Sequence, residues 1–289
     1  MRVTENRLHG LGAQASGRAR RSLLEAANEL SSGQRVVRPS DDPGAWARGQ
    51  RLSARLTENS AQAAVHQAGR DRLVETDLRL DEMGELFSRG RELALQLANG
   101  TMSAAERSAA LEGLNGMRES LRAAMNGRDS GGGYLFSGSR TSTEPFDVGG
   151  AYLGDASSFL LTRDGNSTVA ANVTGADLFS PSGTSPLAAF DALTTAAAAN
   201  DVPGLRAAIQ LLGEAGDQTA FLRSQVGHRM SLIEEASEIR EDQKVVLAQG
   251  LALAVGSDDV SAADRFARAR SALETAQALS ETLASVLRR

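Results

Sequence analysis

Proline placement constrains this chain more than any other feature. Its six prolines stand at positions 39, 43, 145, 181, 186 and 203, so residues 44–144 and 204–289 hold none. A proline inside a helix costs about 3 kcal/mol, and the two gaps are therefore where long helices can run. Ser40-Asp41-Asp42 sits between Pro39 and Pro43 and offers side-chain oxygens that cap orphan amides at a helix start. Pro43 suits the first turn, where its missing N–H matters least. A single helix over 44–98 is roughly 80 Å long at ~1.5 Å per residue, a length that fits a rod better than a globular domain.

Apolar periodicity fills both gaps. Leu73, Thr76, Leu80, Met83, Phe87, Gly90, Ala94 and Leu97 alternate spacings of three and four, which is a heptad seam. Leu111, Leu114, Arg118, Leu121 and Met125 make a second run. Phe266, Ala269, Leu273, Ala276, Ser280, Leu283 and Leu287 make a third at the C-terminus. A weaker stripe in residues 4–32 passes through Leu8, Leu11, Ala15, Ala19, Leu23, Ala27 and Leu30. The two terminal stripes lie beyond loops and need a mutual or external partner. Leu8, Leu11, Leu23, Leu30, Phe266, Leu273, Leu283 and Leu287 are accordingly the candidate assembly residues.

The middle of the chain differs. Residues 129–186 concentrate aromatic residues, glycine and proline. Ser158–Thr162 and Ser167–Val173 flank Arg163-Asp164-Gly165-Asn166, and Asp-Gly between β-rich runs signals a hairpin. Tyr134-Leu-Phe136 reads as a further short strand. The fold class expected is mainly α with a small β insertion: a long helical coiled-coil rod formed by both chain ends. Its parts would be an N-terminal helix and loop (1–43), long helices (44–130), an outward β domain (131–186), return helices (187–255) and a C-terminal helix (256–289). The insertion reads as separable from assembly, so that a short linker could replace residues 139–183 without abolishing assembly.

Composition narrows the function. Alanine (48) and leucine (36) outweigh the 11 aromatic residues, a mix that favours close-packed helices over a compact enzyme core. With no cysteine there is no disulfide framework, thiolate metal site or cysteine nucleophile. His9, His66 and His228 have no ligand spacing among them. A net charge of −5 with one lysine against thirty dispersed arginines gives no nucleic-acid footprint. No run of 18 apolar residues is present, so no membrane span is expected. The start, Met-Arg-Val-Thr-Glu-Asn-Arg-Leu, lacks the apolar core of a signal peptide. That pattern fits a cytosolic protein or export without a cleaved signal.

Motifs that could carry chemistry have simpler readings. Asp129-Ser130-Gly131-Gly132 looks like a serine-protease nucleophile segment, but it follows a helix and reads better as a glycine stop. Asp41-Asp42 and Asp258-Asp259 read as helix caps rather than cation sites. No phosphate-binding glycine loop accompanies Lys244. Asn99-Gly-Thr101, Asn166-Ser-Thr168 and Asn172-Val-Thr174 match a glycosylation triplet that arises often by chance. Trp46 reads equally as an interface anchor or as a packing residue at a helix start.

Several segments carry a family likeness when taken in order. Ser31-Ser-Gly-Gln-Arg-Val-Val-Arg-Pro-Ser-Asp-Asp-Pro-Gly-Ala45 resembles the loop after the first helix of flagellin-like proteins. Arg91-Glu-Leu-Ala-Leu-Gln-Leu-Ala-Asn-Gly-Thr101 resembles their long-helix motif. Gly133-Tyr-Leu-Phe-Ser-Gly138, Glu144-Pro-Phe146, Tyr152-Leu-Gly-Asp155 and Asn172-Val-Thr-Gly175 to Phe179 look like the hook-associated branch of that family. Ser224-Gln-Val-Gly-His-Arg-Met-Ser-Leu-Ile-Glu234 is similar to its return helix. Two segments depart from the family pattern: Ser257-Asp-Asp-Val-Ser-Ala-Ala263, where an acidic turn is usual, and the terminal Leu287-Arg288-Arg289.

The resemblance implies a structural subunit rather than an enzyme, with no cofactor and no metal. It implies paired terminal helices as an inner coiled coil, and homo-oligomeric assembly in a layer at the hook–filament junction. Flagellin, a neighbouring hook-associated protein on the hook side and a flagellar export chaperone are the implied partners, with neither nucleic acid nor membrane among them. Export through the flagellar type III channel would carry the chain from the cytoplasm to the extracellular flagellum. A filament flagellin with a short central region is the alternative within the family.

Overall fold

The computed structural model describes residues 2–100, 102–164 and 167–286. Helix α1 spans Arg2–Ser32, α2 Pro43–Ala98, α3 Ala104–Met125, α4 Pro186–Ala198, α5 Val202–Val255 and α6 Asp259–Val286. Strands β1 (Leu160–Asp164) and β2 (Ser167–Ala170) form an antiparallel pair in which Leu161 faces Val169. The proline-free gap after Pro43 is thus filled by one 56-residue helix and then α3. The hairpin expected around Asp164-Gly165 is present, with residues 165 and 166 outside the described set. The chain is mainly α with a small β insertion, as its sequence leads one to expect.

Contacts divide the chain into two compact units. One comprises residues 1–60 and 242–289, the other residues 61–241, so the division falls within α2 and α5.

In the 61–241 unit, every residue of the α2 seam from Leu73 to Leu97 is buried. Opposite it lie Leu114, Leu121 and Met125 of α3, Phe190 and Leu193 of α4, and a row along α5. That α5 row runs Leu205, Ala208, Leu212, Ala215, Thr219, Leu222, Val226, Ile233 and Ala236. Helix α3 starts at a capping box: Glu106 N–H donates to Ser103 Oγ at 3.3 Å, and Ser103 N–H to Glu106 Oε2 at 2.7 Å. Ser185 and Pro186 open α4 in the same spirit, with Ala188 N–H donating to Ser185 Oγ at 3.1 Å.

The β-rich segment shares this core. Phe136, Phe146, Val169, Val173 and Leu178 are buried in one cluster with the helices. Arg72 of α2 pairs with Asp129 and donates to the carbonyls of Tyr134 (2.9 Å) and Leu135 (3.0 Å). Its guanidinium also lies 5.2 Å from the Phe159 ring centre. Burial lowers the Arg72 pKa from the ordinary guanidinium value, while Asp129 opposes that shift. From α2, His66 bonds the Thr162 carbonyl (2.8 Å); from α5, Arg229 donates to the Asn172 carbonyl (2.8 Å). The insertion is therefore fastened into the helical core.

Tyr134-Leu-Phe136 is corrected: it forms no strand. Tyr134 makes one isolated bridge, to Arg128, and its N–H donates to Thr141 at 2.8 Å, while Leu135 N–H donates to Gly127 at 2.9 Å. These bonds satisfy the backbone through turns, so no ladder forms.

Candidate assembly seam

The seam is built from the chain termini. Helices α1 and α6 pack against each other within the first unit. Glu29 near the end of α1 meets Arg265 near the start of α6, so the pair runs antiparallel. On α1 the covered row is Gly12, Ser16, Ala19, Leu23 and Ala26. On α6 it is Ala262, Phe266, Ala269, Leu273, Ala276 and Ser280. Both rows alternate spacings of three and four, and small residues dominate both, which lets two helices approach closely.

The structure sorts the candidate assembly residues. Leu23, Phe266 and Leu273 are half-buried on the paired faces. Leu11 and Leu30 are exposed, away from the α6-facing row. The side chains of Leu8, Leu283 and Leu287 lie outside the described residues. Leu24 on α1, and Val260 and Leu279 on α6, are further exposed apolar side chains. An antiparallel pair covers one stripe of each helix, so this much apolar surface stays available to a second molecule.

A clasp fixes where the two termini meet. Gly33 ends α1 at φ +65°, a left-handed position that glycine adopts freely, and its N–H donates to Glu29 O at 2.9 Å. Gln34 then bridges Gly256, and Ser257 N–H donates to Gly33 O at 2.9 Å. Arg35 and Val36 N–H both donate to Val255 O, at 2.8 and 3.2 Å. The Glu29 carboxylate accepts from Ser257 Oγ (2.6 Å), from Arg265 Nε (3.0 Å) and from Arg265 Nη2 (2.5 Å). The Ser257 hydroxyl, and then Arg265, hold its pKa below the ordinary glutamate value. Ser257 is thus one of the residues that tie the two ends together.

One member of each acidic pair caps a helix. Asp42 Oδ1 accepts from Ala45 N–H at 2.9 Å at the start of α2, and Asp258 Oδ1 accepts from Val260 N–H at 2.9 Å at the start of α6. Asp41 Oδ2 accepts from Arg38 (2.8 Å) and Val37 (3.1 Å) N–H, and those two bonds depress its pKa. Trp46, in the first turn of α2, is half-buried. In the same unit Gly49 faces Val255, and Gly250 faces Leu52, where α2 meets the end of α5. A cleft of about 820 Å³ opens beside the clasp, edged by Arg35, Arg38, Arg265 and Arg268.

The serine of Asp129-Ser130-Gly131-Gly132 is exposed, its N–H donates to the Glu75 carboxylate at 3.2 Å, and Asp129 is committed to Arg72. That arrangement places an arginine, not a histidine, beside the aspartate. The α5 core row was missed from the sequence, although Leu205 to Val226 repeat the spacing of the α2 seam.

Residues 13–141 match the model of the bacterial flagellin N-terminal helical region. The chain is 27% identical over 180 residues to flagellar hook-associated protein 3 of Salmonella typhimurium, a match covering 62% of this chain and 57% of that protein. The matched part thus spans little more than half the length of that relative. Among solved structures, a putative flagellar hook-associated protein from Vibrio parahaemolyticus superposes with a TM-score of 0.69 at 20% identity, covering 74% of this chain and 99% of that one. The flagellar junction protein FlgL from Legionella pneumophila gives a TM-score of 0.58 at 15% identity, covering 72% and 100%. In its N-terminal helical region by sequence, and across most of its length by fold, the chain is similar to the flagellin-like hook-associated proteins.

Proposed function

We propose that the chain is a structural subunit of the bacterial flagellum, assembled as a layer at the junction of hook and filament. The observation that carries the reading is the α1–α6 pair, clasped at one end and still exposing apolar side chains along both helices. The names of the matched relative and of the two solved structures favour the hook-associated branch over a filament flagellin with a short central region. Copies of the chain, flagellin on one side and another hook-associated protein on the other are the partners proposed. Export through the flagellar channel, with a chaperone bound beforehand, is part of the same proposal. The role is structural: no bond is made or broken.

Electron microscopy of a deletion strain tests this. Hooks without filaments, with flagellin lost to the medium, is the expected picture, restored by the gene in trans. Filaments of normal number and length on the deletion strain contradict it.

A further inference from the structure

We propose that Asn99 is a site of self-modification: the backbone nitrogen of Gly100 attacks the Asn99 side-chain amide, and the asparagine becomes aspartate or isoaspartate. The inference is independent of where the chain assembles.

An asparagine followed by glycine undergoes this reaction most readily, because glycine puts no side chain in the path of the attacking nitrogen. The chain holds three such pairs: Asn99-Gly100, Asn115-Gly116 and Asn126-Gly127. Their surroundings differ. Asn115 lies inside α3, where the Gly116 N–H is committed to the helix ladder. Asn126 follows the last residue of α3, and its side-chain amide is engaged on both sides. Its Nδ2 donates to Glu144 Oε1 and to Phe146 O, both at 2.9 Å, and its Oδ1 accepts from Phe146 N–H at 2.9 Å. Gly127 is crowded as well: a Cβ there would lie 3.0 Å from Ala124 O and 3.0 Å from Arg79 Nε.

Asn99-Gly100 is the contrast. The pair follows the last residue of α2, and both residues are exposed. The Asn99 side chain makes no hydrogen bond among the described residues. The Gly100 N–H, which must be freed for attack, reaches only Leu97 O at 3.4 Å, a long and weak bond. Gly100 holds φ +68°, so the chain has already left the helix. A Cβ at Gly100 would meet nothing within 4 Å, so water and base have access.

The reaction needs no partner but water. A solvent base removes the Gly100 amide proton, and the nitrogen forms a bond to Asn99 Cγ. The Cγ–Nδ2 bond breaks and ammonia leaves, which closes a succinimide ring. Water then opens the ring at Cγ to give aspartate, or at the Asn99 main-chain carbonyl to give isoaspartate. Nothing is oxidised or reduced. Either product sets a carboxylate against the carbonyl end of α2, where the helix dipole is negative. Isoaspartate also lengthens the backbone by one carbon between α2 and α3.

The test is peptide mapping of the full chain after incubation in mildly alkaline buffer, both folded and in urea. Arginines at 91, 107, 118, 122 and 128 place the three pairs on separate tryptic peptides. In the folded chain Asn99 should convert at least about tenfold faster than Asn115 or Asn126, which must first open locally, and each tenfold corresponds to ~1.4 kcal/mol. In urea the three should convert at similar rates. Isotope-labelled water should leave its oxygen in the product, and Asn99→Gln should stop conversion on that peptide without changing helicity. No conversion at Asn99 in the folded chain, or equal conversion at all three pairs there, overturns the proposal. So does an advantage of Asn99 that is as large in urea, since the fold would then not select the site.

Discussion

The ring of Phe190 occupies the space that a side chain at Gly90 would need: a Cβ there would lie 2.9 Å from Phe190 Cζ. Phe190 is fully buried and also packs against Phe87, with ring centres 6.1 Å apart. Glycine at this point of α2 is what lets α4 come close.

Gly90→Ala sets two effects against each other. Alanine favours the helix by about 1 kcal/mol, whereas overpacking a tight core costs about 1–3 kcal/mol. The expected result is net destabilisation of about 1 kcal/mol in urea unfolding. In a Phe190→Leu background the clash is relieved, and the same substitution should become neutral or stabilising. Equal effects in both backgrounds would show that the ring does not set this constraint.

Arg72→Ala should be among the more damaging single substitutions. It leaves the half-buried Asp129 unpaired and strips donors from two carbonyls. A loss of about 3 kcal/mol is expected. Asp129→Asn keeps a hydrogen-bond acceptor and should cost about 1 kcal/mol. Two equal, small losses would mean that Arg72 does not fasten the insertion to α2.

Replacing residues 139–183 with a glycine-serine linker should unfold the 61–241 unit. The change removes Phe146, Val169, Val173 and Leu178 from the shared core. At ~1.5–3 kcal/mol for each large buried side chain, the loss is on the order of 6–12 kcal/mol, comparable with the whole stability of a typical domain. Thermal melting by circular dichroism reads this directly. A linker variant that melts like the full chain would show that these side chains do not stabilise the unit.

The clasp has a defined pH response. The folded-state pKa of Glu29 is depressed, so its contribution is fully present above the ordinary glutamate pKa of about 4.3 and is lost as pH falls through the lowered value. Hydrogen exchange at the Arg35, Val36 and Ser257 amides should therefore show protection that weakens from about pH 4.3 downward. Glu29→Gln should lower protection at neutral pH and flatten that dependence. An unchanged profile in the variant would place the sensitivity elsewhere.

Much of this was legible because helices impose a period. Proline positions located α2, and its seam from Leu73 to Leu97 is buried throughout. The caps at Asp42 and Asp258 and the hairpin followed from local turn chemistry. What escaped notice depended on small or polar residues. The row of α1 turned toward α6 runs through Gly12, Ser16 and Ala26, whereas the sequence stripe followed the leucines, and Leu11 and Leu30 point away. Close helix approach rewards small side chains, which hydropathy ranks low. Tyr134-Leu-Phe136 has strand-like composition but spends its backbone bonds in turns. The fastening of the insertion rests on Arg72, His66 and Arg229, each bonded to a residue far away in sequence.

If α6 is an assembly seam, Leu273→Glu should block assembly and leave the chain folded. Leu273 is half-buried in the single chain. Burial completed by a neighbour would contribute roughly half of the ~1.5–3 kcal/mol of full burial per subunit, and a carboxylate in that apolar seam costs more than the lost term. Filament formation by the variant should be scored in a complemented deletion strain, alongside circular dichroism of the purified chain. Near-native helicity, secretion into the medium and no filaments is the predicted result; normal filaments on that strain would contradict it.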